Sequence, residues 1–249
     1  MNKLPAFVLQ LVQNYGDTRD QISLQSINKK ARKLGITTID RFYRNLNDNV
    51  VLRYAGTLRY LYASWNRHIT DASVKELKML QILYAYNNPK ITDTSVKELK
   101  LLHTLDASYN LGITDVSIKE LKLLRTLFIG GSIKISDTSV KELKLLQTLD
   151  VANNLNITDA SIKELKLLHA LYTSCNTNIT DASIKQLKLL HTLYASWNPN
   201  ITDASVKELK LLHTLYADGN PKITDVSVRE LKLLRTLNTI GNPNVTIKK

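Results

Sequence analysis

From Leu58 onward the apolar positions recur on a fixed count. Leucine stands at Leu58, Leu80, Leu102, Leu124, Leu146, Leu168, Leu190, Leu212 and Leu234, a period of 22 residues without a slip. A second leucine follows three places later each time, from Leu61 to Leu237. Within one unit, "LHTLYAS" puts Leu212, Leu215 and Ala217 on one side and Thr214 and Tyr216 on the other. Period two with threonine and tyrosine outward predicts a short strand. In "DVSVRELKLL", Val228, Leu231 and Leu234 recur at helical spacing, which predicts a short helix. Ser227 with Glu230 three places on fits a capping box, and Asp225 is the competing cap. Asparagine recurs at the turn after each strand (Asn66, Asn88, Asn110, Asn154, Asn176, Asn198, Asn220 and Asn242), with Ser132 the exception. A buried amide there satisfies backbone groups of its own turn and the neighbouring one.

One strand and one short helix in 22 residues cannot bury their own apolar face, but stacked on copies they can. The strands are expected to line up as a parallel sheet with the helices behind it. Helices about 10 Å wide behind strands about 4.8 Å apart bend such a stack, with the sheet on the concave side. Eight units are complete and a ninth is partial. Residues 36–57 read as a degenerate leading copy, with Ile36 and Ile39 in the two leucine places and one extra residue needed before Leu58. The expected organisation is therefore a helical segment over 1–35, a capping repeat over 36–57 and the repeat domain over 58–249.

The recurring pattern L-x-x-L-x-A-x-x-N-x-x-I-T-D-x-S-V-K-E-L resembles the leucine-rich repeat, nearest to the variant of F-box-associated proteins. The resemblance implies an α/β solenoid, a curved parallel sheet on the concave face and short helices on the convex face, built for binding protein. The small inward residues Ala63, Ala85, Ala107, Ala195 and Ala217 depart from the family's usual leucine.

The first 35 residues are not a repeat. Leu4, Pro5, Val8, Leu9, Val12, Asp20, Ile22, Leu24, Ile27, Asn28, Lys29, Arg32 and Leu34 fall in register with an F-box, which this segment resembles. Phe7, Gly16 and Ala31 depart from that motif. The resemblance implies that Leu4, Pro5, Val8, Leu9, Val12, Leu24 and Ile27 dock the S-phase kinase-associated adaptor of cullin-RING ubiquitin ligases. The repeats would then hold a target protein for ubiquitination. The alternative is a scaffold without a ligase link, its N-terminus serving only to cap the first repeat.

Charge and composition narrow the classes further. The net charge of +12 is spread over the chain, and each repeat helix but one offsets two bases with a Glu and a preceding Asp, Gln186 replacing the Glu in the exception. That scatter argues against a phosphate-binding groove, so no nucleic-acid partner is expected. No run of eighteen apolar residues occurs, so no membrane span and no membrane partner are expected. A single cysteine, Cys175, excludes an internal disulfide and fits a reducing compartment, the cytoplasm or nucleus, or host cytoplasm for a viral protein. No phosphate loop, nucleophile elbow or zinc spacing is present, so neither catalysis nor a cofactor is expected.

The concave face is where function should lie. Tyr62, Tyr84, Asp106, Phe128, Asp150, Tyr172, Tyr194 and Tyr216 take the fifth place of successive units, and Trp65, Tyr109, Cys175 and Trp197 appear at the eighth. Aromatic side chains on a rigid sheet suit protein recognition, against the alternative that tyrosine was simply copied with its repeat. The centre departs most from the copies. Asp106, Phe128 and Asp150, with Arg125 and the "GGS" of Gly130–Ser132, are the candidate selectors of a partner, drift being the rival. His169, His191 and His213 form one column, read as a product of repetition and not as a metal site.

Overall fold

The computed structural model describes residues 37–40 and 46–247. The segment 1–35, with every residue named for adaptor docking, lies outside the described residues. Ten short strands run in chain order through one parallel sheet: β1 (Thr38–Ile39), β2 (Tyr60–Tyr62), β3 (Ile82–Tyr84), β4 (Thr104–Asp106), β5 (Thr126–Phe128), β6 (Thr148–Asp150), β7 (Ala170–Tyr172), β8 (Thr192–Tyr194), β9 (Thr214–Tyr216) and β10 (Thr236–Asn238). Register advances by one repeat at each step, pairing Leu61 with Leu83, Leu105 with Leu127 and Leu215 with Leu237. Behind the sheet lie single helical turns such as Asp71–Val74 and Asp115–Ile118.

Every unit turns its apolar residues into one continuous core. Leu80, Leu83 and Ala85 enter from the strand side, Ile91 from the turn, and Val96 and Leu99 from the helix side, all with no exposed surface. The neighbours cover these groups, because a single coil has no interior of its own.

Two polar ladders fasten the coils. Asn176 donates from its buried amide to the carbonyls of Val151 (3.3 Å), Asn154 (2.7 Å) and Ile157 (3.1 Å) in the preceding unit, and accepts from Asn178 N–H at 3.1 Å. Asn88, Asn110, Asn154 and Asn220 repeat that threefold donation. Ser132 donates once, to Ala107 O at 2.5 Å.

The second ladder corrects the expected capping box. The N-cap is the threonine of "ITD": Thr92 Oγ1 accepts from Thr94 N–H at 3.2 Å. The serine sits one turn inside, fully buried, and the aspartate reaches forward to the next unit. Asp71 accepts from Thr92 N–H (2.8 Å), Thr92 Oγ1 (2.5 Å) and Ser95 Oγ (2.5 Å). Threonine, aspartate and serine all cap well, so local pattern could not rank them. The aspartate's bonds to the next unit settle the order. The glutamate of the expected box turns outward instead, as in Lys100–Glu120 at 3.0 Å and Lys144–Glu164 at 3.0 Å. These exposed pairs contribute little each. Among the described residues Lys122 and Glu142 form no such pair. The joint between 102–123 and 124–145 is thus thin in both respects, since it is also the joint served by Ser132.

The leading copy is built the same way. Its β1 pairs with β2, Thr38 opposite Tyr60, and Asp48 accepts from Thr70 N–H (2.8 Å), Thr70 Oγ1 (2.6 Å) and Ser73 Oγ (2.5 Å). The Asp48–Thr70 bond spans 22 residues where the later ones span 21, which is where the extra residue is absorbed.

Three substitutions test the ladders by denaturant unfolding. Asn176→Ala should lower stability by about 1–2 kcal/mol, since it leaves the Ile157 carbonyl without its donor, while the Val151 and Asn154 carbonyls keep the Asn154 and Ile157 N–H groups. Asp71→Asn should cost about 2 kcal/mol, because an amide oxygen cannot replace both carboxylate acceptors. Ser132→Asn should instead raise stability, by about 1–2 kcal/mol, by restoring donors at the thin joint.

Candidate protein-binding face

The alternation of each strand decides what the sheet presents. Leu61 and Ala63 are fully buried, while Tyr62 between them is part-exposed, and the same holds along the row to Tyr216 beside Leu215 and Ala217. Parallel register then stacks like residues at the strand spacing. Tyr172 and Tyr194 have ring centroids 4.6 Å apart, and Tyr194 and Tyr216 lie 4.1 Å apart and within 7° of parallel. Burial in this stack, and then the neighbouring Tyr216 phenol, push the Tyr194 hydroxyl up to about 12. It therefore stays protonated as a donor across physiological pH. At the other end Tyr62 and Tyr84 are 5.8 Å apart, with Tyr60 at 5.7 Å from Tyr84.

Between these two aromatic ends the face changes. Asp106, Phe128 and Asp150 are paired in register across β4, β5 and β6. Each carboxylate accepts from the amide two residues on, Ser108 N–H at 3.0 Å and Ala152 N–H at 2.9 Å. Burial holds both above the usual carboxylate range, and for Asp150 the Asp106 charge adds to it. Arg125 stands exposed at the entry to β5 and, among the described ion pairs, is joined to neither aspartate. The structure brings the two carboxylates and the phenylalanine together but leaves the arginine apart from them.

The eighth-place residues are not on the strands. Each sits just beyond its strand in the left-handed region: Trp65 at φ 62°, Tyr109 at 54°, Cys175 at 59°, Trp197 at 57°. The conformation turns the chain so that the next residue, the ladder asparagine, points inward. It costs about 1–2 kcal/mol at a residue bearing a Cβ. Continued backbone pairing offsets part of that, as in Trp65 N–H to Tyr86 O at 2.9 Å and Trp197 N–H to Asp218 O at 2.8 Å. Gly131, Gly219, Gly241, Asn87 and Asn153 share this column, and those residue types were the available sign of positive φ. Trp65 and Trp197 are 65% and 61% exposed, so they form a rim above the sheet and not part of its floor. Their rings lean over the following unit. An added Cβ at Gly219 would stand 2.5 Å from Trp197 Cε3, and one at Gly131 2.6 Å from Tyr109 Cε1.

Sequence reasoning passed over Tyr86, which joins Trp65 (5.3 Å) to Tyr109 (5.5 Å) in a continuous aromatic rim. Its place two residues after Tyr84 was the signal, since alternation continues past the strand. Leu111, Ile133 and Leu155, each next after the ladder position, are exposed as well. The histidine column stacks, His169 to His191 at 5.3 Å and His191 to His213 at 5.2 Å. Burial, followed by the two flanking imidazoles, lowers the His191 pKa. Cys175 is exposed, and no group of three or more His, Cys, Asp or Glu among the described residues is arranged to hold a metal ion.

No family model matches the sequence, and no curated protein matches it. Its fold is that of leucine-rich-repeat proteins. An internalin, InlF, of Listeria monocytogenes superposes with a TM-score of 0.57 at 20% identity over 80% of this chain and 64% of that one. A leucine-rich-repeat protein of Leptospira interrogans gives 0.65 at 26% identity over 82% and 53%. Internalin C2 of Listeria monocytogenes gives 0.58 at 25% identity over 80% and 84%. This chain therefore spans just over half to under two thirds of the first two.

The carboxylates make a stability prediction with a definite sign. A raised folded pKa means that ionisation destabilises the fold, so stability should rise as pH falls through the folded values of Asp106 and Asp150. Asp106→Asn with Asp150→Asn should raise Tm at pH 7 and shrink its difference from wild type as these groups protonate in acid. Gly219→Ala should destabilise by about 1–2 kcal/mol through its positive φ alone. Trp197→Ala should relieve part of the added clash in a double-mutant cycle.

Proposed function

We propose that this protein is a binding scaffold whose sheet face, with its aromatic rim, holds a partner protein. The observation that carries this reading is the division of one rigid face into three chemistries. Neighbouring tyrosines lie at each end, tilted at Tyr62–Tyr84 and stacked at Tyr194–Tyr216, and the Asp106–Phe128–Asp150 triplet lies between them. Aromatic groups held by a sheet bury much area with little entropy loss, the usual property of binding hot spots. The central carboxylates are kept at a cost to stability, which fits a role in selecting a partner. The leucine-rich-repeat fold supports binding over catalysis, and its solved neighbours include internalins.

The ligase reading extends this one and rests on residues 4–34 alone. In it Leu4, Pro5, Val8, Leu9, Val12, Leu24 and Ile27 dock the S-phase kinase-associated adaptor, through which the chain joins a cullin, and the repeats present the target. A scaffold without that link is supported equally by the fold. Pull-down with purified adaptor separates the two. Binding by wild type and its loss in Leu4→Asp and Val8→Asp would support the ligase link, and no binding by wild type would leave the plain scaffold.

The face itself is tested by affinity capture followed by interferometry on the captured partner. Phe128→Ala combined with Asp106→Asn and Asp150→Asn should weaken the partner at least tenfold without loss of Tm. Unchanged affinity would remove the central triplet from the site. Unchanged affinity in Tyr194→Ala with Tyr216→Ala as well would remove the face.

A further inference from the structure

The sheet face varies from unit to unit, but one edge of the solenoid does not. A leucine stands at every 22nd residue from Leu101 to Leu233, and all seven are exposed, by 36% to 46%. Each immediately precedes a buried core leucine, as Leu101 precedes Leu102. Each lies in the return from helix to strand, three residues before the strand begins, as Leu101 does before β4. The row therefore follows the edge at the N-terminal ends of the strands. Trp65 and Trp197, which follow their strands, mark the opposite edge. Seven places at the strand spacing of about 4.8 Å make a row roughly 30 Å long.

The row is set among bases. A lysine precedes every one of these leucines, from Lys100 to Lys232, and a second base stands three residues before it, from Lys97 to Arg229. Each unit's Asp is taken up in the ladder, which leaves one Glu at most beside the two bases. Glu120 lies among Lys100, Lys119 and Lys122, and Glu164 among Lys144, Lys163 and Lys166. Two residues after each leucine, at the strand entry, stand only histidine, arginine or glutamine, as at His103, Arg125 and Gln147. Exposed apolar groups in a line, each with a lysine immediately before it, match a surface that is anionic outside and apolar just beneath.

Uniformity distinguishes the occupant. A specific protein is recognised by differences along a surface, and the leucine row with its lysines does not vary: "KLL" recurs in seven consecutive units. A fluid lipid surface senses only the density of charge and apolar area. The geometry points to this edge as a contact for an anionic lipid bilayer, the leucines entering the headgroup boundary and the lysines meeting the lipid phosphates and carboxylates. The chain would rest on the bilayer without crossing it; among the described residues no helix is long and apolar enough to span one. The inference is independent of the sheet-face reading, and the two surfaces are separate.

The test is co-sedimentation of the full chain with vesicles of phosphatidylcholine and phosphatidylserine at 7:3, and of phosphatidylcholine alone. Partitioning should be at least tenfold stronger with phosphatidylserine at about 50 mM salt and should fall severalfold at about 300 mM, as screening shortens the reach of the lysines. Leu123→Ser with Leu145→Ser and Leu167→Ser should reduce it at least tenfold, with circular dichroism reporting whether the fold survives. If that variant unfolds, Leu145→Trp decides, since its emission should shift to the blue on phosphatidylserine vesicles beyond the wild-type signal of Trp65 and Trp197. No partitioning at low salt, no blue shift, or a folded triple variant that binds as wild type would overturn the inference. Binding to poly-glutamate without binding to vesicles would overturn it as well, in favour of an acidic protein partner.

Discussion

Everything in this molecule depends on the fact that no coil is complete without its neighbour. The core leucines are covered by the leucines of the adjoining units, and the carbonyls at each turn are satisfied by an amide 19 to 25 residues along the chain. Hydrophobic burial supplies most of the gain, as in any fold. The polar ladders fix the register. An asparagine that must meet the carbonyls of the preceding unit, and an aspartate that must meet the cap amide and hydroxyl of the next, allow only one placement of the next coil. A slip by one residue would leave buried polar groups unpaired at every joint.

Much of this was legible in the sequence because period and chemistry agreed. Leucine at a fixed count of 22, asparagine at a fixed place and alternation before it specified strands, turns and stacking order. The helix caps were not legible, since Thr224, Asp225 and Ser227 all favour that role and only the contact with the next unit ranks them. The backbone conformation at Trp65 and Trp197 was not legible for a different reason. Tryptophan gives no sign of a left-handed backbone, and the glycines and asparagines elsewhere in its column had to be read on its behalf. Tyr86 was legible in principle and was lost by stopping the alternation where the strand ends.

The costs in this structure are not evenly spread. The ladders and the core are fully satisfied, with no buried side-chain nitrogen or oxygen among the described residues left without a partner. The positive-φ aromatics stand along the rim and the partly buried carboxylates on the open face. Natural proteins keep unfavourable features where function requires them. By that criterion the rim and the triplet around Phe128 are set apart from the repeat framework.

Ser132 gives the array a mechanical centre. In a one-dimensional stack, coils part where nearest-neighbour coupling is smallest. Here the asparagine ladder thins to one hydroxyl bond, and the lysine–glutamate series is interrupted at the same interface. That interface lies between the coil of Asp106 and the coil of Phe128. The aspartate ladder still crosses that interface, from Asp115 to Ser136 and Ser139, so register is held there while the Trp65–Tyr86–Tyr109 rim and the Tyr172–Tyr194–Tyr216 stack fall on opposite sides of it.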